Sequence, residues 1–83
     1  MANGDDLARL GTDELAALAE AAVAELARRG DPAAFEHLLR LTAVVGESVG
    51  VAARATAERS SWAGVAGIAG TSRQAAWERW RTP

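Results

Sequence analysis

The chain has 83 residues, 49% hydrophobic and 24% charged, with a formal net charge of −2 at pH 7. That is a globular composition, and so short a chain buries only about 60 to 65% of its unfolded surface, enough for one small domain that gains from self-association. With no cysteine in the sequence, disulfide staples, thiolate zinc sites and cysteine nucleophiles are excluded.

The net charge hides an asymmetry. Residues 1–47 hold nine acids and four arginines, giving −5; residues 48–83 hold five arginines (Arg54, Arg59, Arg73, Arg79, Arg81) against Glu58 and Glu78, giving +3. A basic end on an acidic chain presents a local face for an anionic partner. The longest stretches poor in charge are Leu41 to Ala53, broken by Glu47, and Ser60 to Ser72. Neither approaches the roughly 18 to 20 apolar residues of a membrane span, and no basic segment precedes an apolar run, so no membrane partner is expected and the cytoplasm is the default location.

Residues 1–11 read as a short leader in which Leu7 and Leu10 can dock on the body. A first helix is expected over about 12–29, with Thr12 as N-cap and Asp13 and Glu14 at the positive end of its dipole. Leu15, Leu18, Ala22 and Leu26 form its apolar stripe, Arg28 and Arg29 suit its C-terminus, and Gly30 is placed to end it.

A second helix is expected over about 32–58, opened by Asp31 as N-cap and Pro32 at its first position. Phe35, Leu38, Thr42, Val45, Val49, Ala52 and Thr56 recur along one stripe at spacings of three and four. A second line of Leu39, Ala43, Gly46, Gly50, Ala53 and Ala57 runs beside it, and Arg54/Glu58 and Glu36/Arg40 stand one turn apart on the polar side. So much apolar surface predicts a partner beyond the first helix, most simply a second copy meeting Val45, Gly46, Val49, Gly50 and Ala53. Residues 12–59 thus read as a helical hairpin serving as a dimerisation platform.

From residue 60 the pattern changes to two short helices within 61–81. Ser61 caps the first, Gly70 supplies the positive φ of the turn, and Ser72 caps the second. Ala66 is small enough for close crossing, and Ala76 and Trp80 anchor the second helix against Val65, Ala69 and Trp62. Arg73, Gln74, Trp77, Glu78 and Arg81 are left pointing outward. No segment alternates in the manner of a strand, so the chain reads as all-α within a single domain.

The run Trp62-Ala-Gly-Val-Ala-Gly-Ile-Ala-Gly-Thr-Ser-Arg-Gln-Ala-Ala-Trp77 resembles the helix-turn-helix segments of bacterial repressors of the lactose-repressor kind. It is similar still more to small actinobacterial DNA-binding proteins, over about 20 of the 83 residues. The resemblance implies double-stranded DNA as partner, read in the major groove by the last helix. Arg73 is then suited to guanine and Gln74 to adenine, while Ser61, Thr71 and Ser72 meet phosphate and Arg81 adds charge. Trp77 is either contact or half core. The implied role is a dimeric transcriptional regulator or nucleoid-associated factor with no cofactor. The competing class is a helical protein-interaction module, an adaptor or antitoxin-like partner, that docks through the same helices by Trp77 and Trp80.

Other signals point to no chemistry. Gly46-Glu47-Ser48-Val49-Gly50 matches the nucleophile-elbow spacing but falls within a predicted helix, where its glycines favour close packing. His37 is the only histidine and forms no metal set alone. No catalytic constellation is visible, and the chain is not expected to be an enzyme.

Overall fold

The computed structural model describes residues 4–83. It is all-α: α1 (Gly4–Ala8), α2 (Thr12–Arg29), α3 (Pro32–Arg59), α4 (Trp62–Ala69) and α5 (Arg73–Trp80), with no strand among the described residues. The helix ends follow local chemistry. Asp31 Oδ1 accepts from the Ala34 amide at 2.7 Å while its carbonyl takes the Phe35 amide, which makes Asp31 the N-cap ahead of Pro32. Gly30 ends α2 at φ 63°, in the left-handed region that a side chain disfavours.

Two details at the start of the chain differ from expectation. The leader is partly helical: α1 occupies Gly4–Ala8 and leaves Leu7 half-buried, while residues 1–3 of the leader lie outside the described residues. The N-cap of α2 is Gly11, not Thr12, because the Gly11 carbonyl accepts the first helical bond, from the Leu15 amide at 2.9 Å. Glycine has no side chain to cap with, so only the returning half of a capping box forms, from the Gly11 amide to Glu14 Oε1 at 3.2 Å.

The chain divides into two compact units, one running to Arg40 and the other from Leu41 to Pro83. The division falls inside α3 and not at residues 59 and 60, because the second half of α3 shares a core with α4 and α5. Among the described residues of the first unit Ala34 is the only buried apolar one, and α2 has none. Most of the stripe expected on α2 is thus left open, with Leu15, Leu18 and Ala22 exposed and Leu26 half-buried. At its C-terminus Glu25 accepts hydrogen bonds from Arg28 and, at 3.2 Å, from Arg29 Nε, and these hold its carboxyl below the usual range.

In the second unit the core is Ala53 of α3, Val65 and Ala66 of α4, and Ala76 of α5, with Ala57, Trp62 and Trp80 packed around it. Small residues dominate because three helices meet closely there. Ala53 and Gly50, two of the residues expected at a dimer interface, are buried within their own chain. Ala69, expected among the anchors of α5, is exposed.

Candidate functional site

The helical pair α4–α5 is built by three local devices. Ser61 Oγ accepts from the Gly64 amide at 3.0 Å and starts α4; Ser72 Oγ accepts from the Ala75 amide at 3.1 Å and starts α5. Between them Gly70 takes φ 70°, and the Thr71 amide closes on the Ala66 carbonyl at 3.0 Å, a Schellman bond across the turn. The turn is therefore fixed by backbone hydrogen bonds as well as by glycine.

One face of α5 is spent on packing. Ala76 is 0% exposed and Trp80 half-buried, which accounts for the anchoring role read from their four-residue spacing. Arg73, Gln74, Glu78 and Arg81 are exposed, as are Ser61, Thr71 and Ser72. The seven expected site residues thus lie on the exterior of one small unit. Trp77 belongs to the surface side: it is 37% exposed, and the Arg81 guanidinium lies over its ring at 4.3 Å from the centroid. Arg79 lies over Trp80 in the same way at 5.1 Å.

Hydrogen bonding separates the exposed residues. Gln74 Nε2 donates to Glu78 Oε1 at 2.9 Å, so one of its amide hydrogens is already held, while its carbonyl oxygen meets no donor among the described residues. Arg73 has no acid paired with it among the described residues. The hydroxyls of Ser61 and Ser72 accept from their own helices and keep an O–H to donate outward. Within residues 41–83 there are five arginines and three acids, for +2; the other unit carries −4.

One residue that matters here was missed in the sequence. Arg54, placed by spacing beside Glu58, donates instead from Nη1 to the Trp80 carbonyl at 3.0 Å. A signal for it exists in Gly50, one turn earlier, where a Cβ would sit 3.3 Å from the same Nη1. The missing side chain at Gly50 leaves room for the guanidinium to reach α5.

The residues set aside on sequence grounds occupy ordinary positions. Ser48 lies inside α3 and donates from Oγ to the Val44 carbonyl one turn back at 2.8 Å. His37 is exposed on the same helix. Among the described residues no cluster of three or more His, Cys, Asp or Glu is placed to hold a metal ion, and no helix is long and apolar enough to cross a membrane. No protein-family model, curated protein or solved structure matches this chain.

Proposed function

We propose that the chain binds double-stranded DNA through a helix-turn-helix, with α5 as the helix that enters the major groove. The observation that carries this reading is the two-sided character of α5: Ala76 is fully buried against α4 while Arg73 and Gln74, in its first turn, are exposed. That is the division of labour a recognition helix requires, since its N-terminal residues meet base edges and its inner face meets the preceding helix. The capped start of α5, the free Arg73 and the outward hydroxyls of Ser61 and Ser72 support it, as does the positive balance of the unit. In this reading Arg73 and Gln74 read bases, Ser61, Thr71 and Ser72 position the phosphate backbone, and the Arg81–Trp77 pair braces the flank. The chain then acts at the nucleoid as a regulator of transcription or as an architectural factor.

The test is binding of the purified chain to random-sequence duplex DNA, followed by selection and sequencing of the retained pool. With about four phosphates neutralised by the arginines of this unit, affinity should fall roughly 100-fold between 50 and 200 mM salt. A preferred site that an Arg73→Ala/Gln74→Ala variant loses while staying helical supports base reading; salt-sensitive binding with no preferred site supports the architectural role.

A second reading rests on the exposed Trp77 with Arg81 laid over it, since tryptophan and arginine dominate protein-binding hot spots. Docking of these helices onto another protein would be insensitive to salt, and absence of DNA binding at low salt decides for it.

A further inference from the structure

One side of α3 has a regular apolar order. Phe35, Leu38, Thr42, Val45, Val49, Ala52 and Thr56 follow alternating steps of three and four, the repeat of a coiled-coil seam. Within residues 41–83 that seam is turned away from the core: Val45 is 56% exposed and Val49 44% exposed. It continues onto α4, where Ile68 is 82% exposed, beside an apolar cleft of about 210 Å³ lined by Val49, Ala52, Thr56, Ile68 and Trp80.

We infer that this face is a dimer interface occupied by the same face of a second copy. Three observations favour that occupant. The first is continuity. Val45, Val49 and Ile68, all within residues 41–83, are exposed, and Val49 and Ile68 line the same apolar cleft, so the strip can pair with its own copy along its length.

The second is volume. The buried apolar residues are Ala34, Ala53, Val65, Ala66 and Ala76, and no large side chain is fully buried among the described residues. A core of four alanines and one valine is small for a chain this length, and self-association is the usual remedy.

The third is charge. The positions flanking the seam are Leu41, Gly46, Ser48, Ala53 and Ala55, so nothing ionised opposes a two-fold copy of the same surface. The other exposed valines of α3, Val44 and Val51, share their side with Arg40, Glu47 and Glu58 and lack this continuity. Gly50 and Ala53 are buried within the subunit, Ala53 at the floor of the cleft. The inference does not depend on DNA binding: a chain that dimerises and ignores DNA keeps it while losing the reading above.

The test is the mass of the full chain in solution, by sedimentation equilibrium from micromolar to millimolar, with the melting midpoint followed over the same range. Twice the 8.6 kDa chain mass and a midpoint that rises with concentration are expected. Val49→Glu should give the monomer mass, and Val51→Glu should leave the dimer. Should Val49→Glu fail to fold, the Val45→Ala/Val49→Ala variant decides, since it keeps its helix signal and should raise the dissociation constant at least about tenfold. A helical wild-type chain that stays monomeric with a constant midpoint overturns the inference. So does a dimer that the alanine pair leaves unchanged, or one that Val51→Glu disperses as readily as Val49→Glu.

Discussion

Arg54 and Trp80, 26 residues apart in sequence, are joined by a hydrogen bond of 3.0 Å from the guanidinium Nη1 to the main-chain carbonyl. Trp80 is the last residue of α5, so its carbonyl is one of the acceptors that a helix leaves unsatisfied at its negative end. A cation from the C-terminal part of α3 supplies both the donor and the matching charge. Helix α5 is thereby tied to α3 at one end and capped by Ser72 at the other.

Arg54→Met, which keeps most of the apolar stem and removes the donors, should cost about 1 to 2 kcal/mol, allowing for the partial exposure of the bond. Urea unfolding at fixed protein concentration measures it, and hydrogen exchange should show faster amides at the end of α5. A variant as stable as wild type, with unchanged exchange there, means the bond contributes nothing in solution.

Two glycines of the α4 turn region should respond oppositely to alanine. Gly67 lies inside α4, where an added methyl group would meet no neighbouring atom within 4 Å, so Gly67→Ala should stabilise by roughly 0.5 to 1 kcal/mol through helix propensity alone. Gly70 sits at φ 70°, where Gly70→Ala should cost about 1 kcal/mol. Denaturant midpoints of the two variants, compared with wild type, should move in opposite directions.

The pairing of Glu25 with Arg28, and then with Arg29, carries a pH signature. Because the folded carboxyl titrates below its ordinary value, the pair's contribution is present above the unfolded glutamate value of about 4.3 and is lost as pH falls through the depressed folded value. The effect is small, since the pair is open to solvent and salt. Melting of wild type and Glu25→Gln should differ at pH 7 in low salt and converge in acid. A difference that persists undiminished in strong acid would show the pair to be irrelevant.

Glu78 holds Gln74 and also places a negative charge on the outward face of α5. If α5 enters a DNA groove, Glu78→Gln should strengthen binding to random duplex by up to about tenfold at low salt, through lost repulsion, and should blunt the preference at the base facing Gln74. Binding titrations on selected and random duplexes check both. An unchanged affinity places Glu78 away from the phosphates.

What could be read from the sequence was what neighbouring residues decide. Asp31-Pro32, Ser61, Ser72, Gly30 and Gly70 mark helix ends through bonds spanning only a few residues, and the helices they bound were legible for that reason. Gly11 displaced Thr12 as a cap because either residue satisfies the local pattern and only the carbonyl geometry chooses. The inward line of α3 was harder. Gly50 and Ala53 belong to a small-residue row equally suited to a second chain or to α4 and α5, and periodicity does not distinguish these partners. The Arg54–Trp80 bond joins residues too far apart for spacing to reveal, with Gly50 its only trace.

A core made of alanine changes which errors the protein tolerates. Where leucines meet, the damaging change is truncation, which leaves a hole; around Ala53, Ala66 and Ala76 there is little to remove, and added atoms push helices apart. Selection on this unit should therefore act as a ceiling on side-chain size, allowing glycine and serine at these sites while rejecting leucine and phenylalanine. Variation in such a chain is confined by crowding at the helix crossing, and its freedom lies on the surfaces that face outward.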